Sequence, residues 1–245
     1  MKNCAPFVSS LTAILLVVCL TIASAPAQTQ MVLVTTGSTM PESLYVRWGG
    51  EYHKLHPETQ VRYLPMGTSE SAKGVLSGAG DLGGGDAPIP EKQLQEATHA
   101  VLELPTVLVG IAIFYNVPDS VTGIRLSGPV IANIYLGKIT SWSDHEIVKL
   151  NPGFTLPDLP IKVLHRTDGK GSNYIFSDFL SKVSTEFRSK VGTDVSPKWP
   201  VGAAFSRCQD LLASAAKTPG SVGYAEVRCG EKSGLPMARI LNASG

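Results

Sequence analysis

The stretch LHRTDGKGSN, residues Leu164–Asn173, decides how the rest of the sequence is interpreted. It begins at the end of a short apolar segment, Ile161–Leu164, which is typical of a buried strand. Gly169 and Gly171 follow, and Ser172 then opens a segment with helical apolar spacing. A strand, a glycine turn and a helix start together favour an anion site, because the first amides of the helix lack partners within it and glycine lets the backbone approach a ligand. The same order of elements predicts an α/β fold.

Two charged side chains in this stretch sharpen the prediction. Arg166 offers a planar fork of donors that suits a tetrahedral oxyanion. Asp168 would repel an anion directly, but as a partner of Arg166 it would fix the guanidinium in place. The alternative is an ordinary strand–helix turn with a surface Arg–Asp pair. Short glycine motifs are weak evidence, so this stretch alone leaves both interpretations open.

The first third of the chain repeats the same design twice. An apolar strand, Met31–Thr35, leads to Thr39 at the expected start of a helix, and a strand at Gln60–Pro65 leads to Thr68 at the start of another. Open α/β sheets bind ligands at the carboxyl ends of their strands, so the repetition favours a shared pocket. The alternative for each threonine is a simple helix cap.

A glycine-dense segment, DLGGGD at Asp81–Asp86, follows the second unit. Such a segment indicates a short strand whose backbone passes close to another group. Asp86 then supplies a hydrogen-bond acceptor near the predicted pocket. The alternative is an aspartate that only stabilises a turn.

Residues 1–27 have the features of a signal peptide. Lys2 supplies the positive charge, Leu11–Ile22 is a short apolar run, and Ala25–Ala27 is a small-residue cleavage site. The apolar run is too short to span a membrane as a helix. We therefore expect an exported, periplasmic or secreted mature protein that begins after Ala27.

Two cysteines remain after removal of that segment, Cys208 and Cys229. An oxidising compartment would allow them to form a disulfide. Two unpaired thiols are the alternative, because a sequence gives no geometry.

Composition narrows the function classes. The 245 residues are 43% hydrophobic and 17% charged, with a net charge of +1. These values suit a globular protein of one or two domains and give no basic field for nucleic acid. The sequence has no HExxH, CxxC, GxSxG or Walker A motif. Binding is therefore favoured over catalysis, and no cofactor or metal is predicted.

Several motifs together resemble the extracytoplasmic phosphate-binding proteins of phosphate ABC transporters. The resemblance extends from about Val32 to Glu226 and rests on GSTMPESLY (37–45), GTSES (67–71), DLGGGDAP (81–88), YLGKITSW (135–142), LNPG (150–153), HRTDGKGSN (165–173), KWPVG (198–202) and TPGSVGYAE (218–226). It implies an α/β fold of the type II periplasmic-binding-protein class, with two lobes that close on one phosphate. It also implies a non-enzymatic protein whose partners are inorganic phosphate and the inner-membrane permease subunits of an ABC importer.

The resemblance also implies a set of phosphate ligands at matching positions: Thr39, Thr68, Asp86, Arg166, Asp168, Gly171 and Ser172, with Ser38, Ser69 and Lys170 as further candidates. Asp86 matches the carboxylate that accepts the proton of phosphate and thereby rejects sulfate. Lys170 stands where the family has a serine. Its ammonium could reach the anion as a point charge, or it could turn to solvent.

The lobes are expected at residues 28–108 and 109–245. The family continues well beyond the position of Gly245 and returns to the first lobe, so that lobe is expected to be incomplete, with exposed apolar surface. Two alternatives to phosphate delivery stay open. One is a binder or sensor of another oxyanion, which Lys170 and Glu70 would allow, and the other is a shortened product without binding activity.

Overall fold

The computed structural model describes residues 30–118, 122–167 and 169–242. The predicted signal peptide and Asp168 lie outside the described residues. Strands and helices alternate through the described chain, which confirms the predicted α/β class. No helix in these ranges is both long enough and apolar enough to cross a membrane.

Lobe 1, residues 30–108, is built on a small parallel sheet with strand order β2-β1-β3. Its elements in chain order are β1 (Met31–Gly37), α1 (Glu42–Leu55), β2 (Thr59–Pro65), α2 (Thr68–Leu76), β3 (Leu82–Gly84) and α3 (Glu91–Gln95). Because all three strands are parallel, their carboxyl ends lie at one edge of the sheet. The turns that follow β1, β2 and β3 therefore meet there.

Lobe 2, residues 109–242, contains a four-stranded sheet of order β4-β8-β6-β7, in which only β4 is antiparallel to its neighbour. A separate parallel pair joins β5 to β9. The elements are β4 (Ile111–Tyr115), β5 (Arg125–Ser127), α4 (Gly128–Tyr135), α5 (His145–Leu150), β6 (Lys162–Arg166), α6 (Gly171–Val183), α7 (Thr185–Lys190), β7 (Ala203–Phe205), α8 (Cys208–Lys217), β8 (Ser221–Glu226), α9 (Val227–Gly230) and β9 (Arg239–Leu241).

The hydrophobic core lies entirely in lobe 2. Trp142, Tyr135 and Tyr224 are fully buried there. The rings of Tyr135 and Tyr224 lie 6.0 Å apart between centroids, although the two residues are distant in sequence. In residues 30–108, by contrast, Pro41 is buried, but every Val, Leu, Ile, Met, Tyr and Trp side chain is at least partly exposed. Trp48 on α1 is 46% exposed and Leu108 is 100% exposed. Lobe 1 thus has an apolar surface that the described residues leave exposed. The lobe boundaries, residues 28–108 and 109–245, stay a prediction.

Candidate functional site

Three polar residues meet at the carboxyl edge of the lobe 1 sheet. Ser38 follows β1, Thr68 is the first residue of α2, and Asp86 follows β3. The Thr68 hydroxyl donates to Asp86 Oδ2 at 3.0 Å and accepts from the Asp86 backbone N–H at 3.3 Å. The Ser38 side chain lies close enough to lower the pKa of the Asp86 carboxyl. The parallel order of the strands thus gathers residues that are up to 48 positions apart in sequence.

The Asp86 carboxylate lies in an environment that disfavours its negative charge. Burial raises its pKa, hydrogen bonds from Ser38 and Thr68 oppose that rise, and the nearby negative charge of Glu226 adds to it. A buried acceptor of this kind pairs well with a ligand that still carries a proton.

Thr39 belongs to the same turn but makes no hydrogen bond within the described residues. The Ser38 hydroxyl accepts from the backbone N–H of Met40 at 3.1 Å, which fixes the turn. Helix α1 begins at Glu42 with Pro41 as its N-cap residue, so the interpretation of Thr39 as a helix cap is wrong. Its half-buried hydroxyl stays a prediction as a ligand.

Arg166, the last residue of β6, is the buried cation of the site, with 2% of its side chain exposed. Its Nη1 lies 3.3 Å from Glu226 Oε1, and its Nη2 donates to the Ser206 carbonyl at 2.8 Å. The Tyr224 hydroxyl accepts from its backbone N–H at 3.3 Å. Its Nε has no hydrogen-bond partner among the described residues. The guanidinium therefore keeps donors for a ligand.

Glu226 was not predicted as part of the site, whereas Asp168 was expected to orient the guanidinium. Asp168 lies outside the described residues, and the structure shows Glu226 and Ser206 in contact with Arg166. Strands β6 and β8 are parallel neighbours, so Arg166 and Glu226 end at the same edge. A charged residue that closes the apolar run 221–225 was the one sequence signal for Glu226.

The residues that the sequence predicted as anion ligands in lobe 2 lie at the start of α6. Lys170 is the N-cap residue, Gly171 is the first helical residue, and the buried Ser172 hydroxyl lacks a hydrogen-bond partner among the described residues. Asn173 fixes the preceding turn by donating to the carbonyls of Thr167 and Val195 at 2.7 and 3.0 Å. The Asn173 backbone N–H donates to the Lys170 carbonyl at 3.1 Å, whereas those of Gly171 and Ser172 have no backbone partner among the described residues. These two amides remain available to an anion.

The two lobes touch at this helix start. A β-carbon on Gly171 would lie 2.6 Å from Thr68 Oγ1 and closer still to the Asp86 carboxylate. The Ser69 backbone N–H donates to the Gly169 carbonyl across the cleft at 3.4 Å. The lobe 1 edge and the lobe 2 helix start thus face each other directly.

Lys170 reaches across the cleft rather than turning to solvent. Its Nζ lies 3.3 Å from the point that a β-carbon on Gly67 would occupy, at the start of α2 in lobe 1. Burial lowers the pKa of Lys170, the charge of Arg166 lowers it further, and Glu70 opposes that shift. The half-buried ammonium therefore adds positive charge to the rim of the site.

Two cavities lie beside these residues without including Asp86 or Arg166 in their walls. One, of about 580 Å³, lies between the lobes, with Thr68 and Ser69 on one side and Tyr174 and Asp194 on the other. The second, of about 630 Å³, lies on the exposed face of lobe 1.

A disulfide joins Cys208 at the start of α8 to Cys229 in α9, with Cα atoms 6.4 Å apart. The Glu226 carboxylate and the two sulfurs lie within 4.8 Å of one another. Because the sulfurs are bonded to each other, they offer no thiolate to a metal ion.

Two α/β lobes with polar strand ends facing each other across a cleft define the class of two-lobed ligand-binding proteins. The family model described as "PBP superfamily domain" matches residues 23–244, and the chain belongs to this superfamily.

Curated relatives are similar over most of this chain. The phosphate-binding protein PstS of Pasteurella multocida is 35% identical over 210 residues, which is 85% of this chain and 60% of the relative. PstS of Haemophilus influenzae is 30% identical over 92% of this chain and 67% of its own length. The chain thus spans about 60% of the first of these relatives.

Solved structures agree on the fold. A putative phosphate ABC transporter substrate-binding protein from Clostridium perfringens, with bound phosphate, matches with a TM-score of 0.63 at 18% identity, over 85% of this chain and 75% of that one. A phosphate-binding protein from Stenotrophomonas maltophilia matches with a TM-score of 0.62 at 19% identity, over 86% and 65% of the two chains. At these identities the matches support the two-lobed fold alone.

Proposed function

We propose that this protein is an exported solute-binding protein that binds inorganic phosphate between its lobes. The observation that carries the proposal is the contact of the α6 start in lobe 2, at Gly171, with Thr68 and Asp86 in lobe 1. The buried Arg166 lies at the end of β6, just before that helix. The names of the PstS relatives point to the same ligand.

The chemistry of these groups matches a protonated oxyanion. Phosphate near neutral pH carries negative charge and still donates one hydrogen bond. Arg166 Nε, the Ser172 hydroxyl and the first amides of α6 would donate to its oxygens. The Asp86 carboxylate would accept a hydrogen bond from the phosphate O–H. Sulfate has no proton at this pH, so its oxygen would face the carboxylate and leave both charges uncompensated.

Thr39, Ser38, Ser69, Lys170 and Asp168 complete the proposed ligand set, as the sequence predicted. Closure would then follow as a population shift, because a ligand that contacts both lobes stabilises the state in which they approach each other. Delivery to the permease of an ABC importer, and a periplasmic location after cleavage near Ala27, belong to the same proposal. The protein acts by binding and release rather than by catalysis.

Titration calorimetry on the mature chain tests this function. We expect phosphate to bind and sulfate to bind far more weakly, with arsenate and molybdate as further competitors. Arg166→Ala should reduce phosphate affinity by about 2–5 kcal/mol, because a buried charged hydrogen-bond partner is lost. Arg47→Ala, which removes an exposed arginine of α1, is the matched control and should leave the affinity unchanged.

Two other results of this titration would contradict the proposal. Tight sulfate binding would contradict the role of Asp86 and favour a binder of a different oxyanion, an alternative supported by the extra charge of Lys170 in the cleft. A folded chain, by circular dichroism, that binds none of the four anions would overturn the proposed function.

A further inference from the structure

The Arg166 guanidinium is anchored at two nitrogen atoms by two separate chain segments. Glu226, the last residue of β8, contacts Nη1 at 3.3 Å. Ser206, in the turn after β7, accepts from Nη2 through its carbonyl at 2.8 Å. The two anchored nitrogens and the covalent attachment at Nε together fix the plane of the guanidinium. They therefore also set the direction of the Nε–H, which lacks a partner among the described residues.

The disulfide ties these two segments together. Cys208 comes two residues after Ser206, and Cys229 comes three residues after Glu226. The disulfide therefore links the two segments that contact the guanidinium. The Glu226 carboxylate lies within 4.8 Å of both sulfurs. The bond adds a covalent link to the apolar packing that already joins these segments, in which Phe205 and Ala225 belong to one cluster.

Glu226 is an unusual neighbour for an anion site because it is itself negatively charged. Its carboxylate is buried, and its Oε2 has no hydrogen-bond partner among the described residues. Its negative charge also acts on Asp86. Electrostatics alone would therefore make Glu226 unfavourable for anion binding, since removal of a buried negative charge strengthens the field that attracts an anion. Its presence is explained if the orientation of Arg166 matters more than the added charge.

We propose that Glu226, held in place by the Cys208–Cys229 disulfide, is a positioning residue that fixes the orientation of the Arg166 guanidinium in the anion site. This inference rests on the proposed function for the identity of the anion. Glu226 does not itself contact the anion in the proposed site. It acts through Arg166, and the disulfide acts through Glu226 and Ser206.

A set of variants separates orientation from charge. Glu226→Ala removes both the anchor and the charge, whereas Glu226→Gln keeps an oxygen that accepts from Nη1 and removes only the charge. We expect Glu226→Ala to weaken phosphate binding by about tenfold or more and Glu226→Gln to restore most of the affinity. The double variant Cys208→Ala/Cys229→Ala should weaken binding too, and its effect should not add to that of Glu226→Ala. Glu186→Ala, which removes an acidic residue distant in sequence, is the control and should leave the affinity unchanged.

A second measurement needs no ligand. The Nε–H nuclear magnetic resonance signal of Arg166, identified by its loss in Arg166→Ala, should exchange slowly with solvent in the parent and in Glu226→Gln. It should broaden or exchange rapidly in Glu226→Ala and in the double cysteine variant. Phosphate binding by Glu226→Ala that equals or exceeds that of the parent, or an Nε–H signal that is the same in all variants, would overturn the proposal. A parent that binds no phosphate but shows the expected signals would instead reject the proposed function and leave the positioning role supported.

Discussion

Gly171 in lobe 2 lies so close to Asp86 in lobe 1 that a β-carbon at position 171 would force Asp86 or the helix start to shift. The helix start of lobe 2 thus packs against the Asp86 carboxylate of lobe 1. Thr68 Oγ1 lies 2.6 Å from the position that a β-carbon on Gly171 would occupy. A contact this close couples the separation of the lobes to the chemistry of the site. Substitutions at either residue should therefore change both closure and selectivity.

Gly171→Ala should weaken phosphate binding by about tenfold or more. The added methyl group overpacks the contact with Asp86 and Thr68, at a cost of about 1–3 kcal/mol, and keeps the lobes apart. Calorimetry measures the loss of affinity. Gly50→Ala is the matched control, since position 50 lies in helix α1 and a β-carbon there meets nothing within 4 Å. It should keep the affinity and raise the free energy of unfolding by up to about 1 kcal/mol. Equal affinities for the two variants would contradict a closed contact at position 171.

Asp86→Asn should reduce the preference for phosphate over sulfate by about tenfold to a hundredfold. An asparagine carries no negative charge to repel sulfate, and its amide can donate to an anion oxygen. Competition between the two anions, measured by calorimetry on the parent and the variant, gives the ratio. An unchanged ratio would show that selectivity arises elsewhere.

The same substitution should also change how stability depends on pH. Burial raises the pKa of Asp86 in the folded state. A carboxyl group of this kind stabilises the fold when it is protonated, and that contribution is lost as the pH rises through the folded-state pKa. Asp86→Asn should therefore unfold at higher urea concentration than the parent at pH 7. The advantage should shrink as the pH falls below the ordinary value of 3.8, and a constant advantage at all pH values would contradict this account.

Lys170→Gln should weaken phosphate binding by about threefold to tenfold at pH 7, because it removes a positive charge at the cleft. Arg166, Glu70 and the start of α2 face this ammonium, and burial together with Arg166 lowers the pKa of Lys170. The charge is therefore lost at lower pH than in a free lysine. The affinity of the parent should approach that of Lys170→Gln as the pH rises. Lys73→Gln, which removes an exposed lysine paired with Glu70 at 2.8 Å, is the control and should bind phosphate like the parent. A parent and a Lys170→Gln variant of equal affinity at pH 7 would show that the ammonium does not reach the anion.

The sequence predicts the parts of the site that obey local rules. A strand that ends in a hydroxyl or glycine turn before a helix is recognisable from spacing alone, which is why Thr68, Gly171 and Ser172 could be identified. The partner of Arg166 could not, because Glu226 lies 60 residues later in sequence and meets it only when β8 pairs with β6. Thr39 illustrates a second limit. Its position suggested a helix cap, but Pro41 delays the start of α1 to Glu42.

The difference in packing between the lobes should appear in amide hydrogen exchange. Strands β4, β6 and β8 of lobe 2 contact the buried core, whereas β1, β2 and β3 of lobe 1 lie among side chains that keep some exposure. Local opening costs less free energy where few apolar contacts are lost, so lobe 1 amides should exchange at least about a hundredfold faster than those of lobe 2. Mass spectrometry compares the exchange of peptides from each lobe in the whole chain. Addition of phosphate should slow exchange at the strand ends of both lobes, because a bound anion contacts both. Equal exchange in the two lobes without phosphate would show that the lobe 1 sheet is stabilised by contacts other than a buried apolar core.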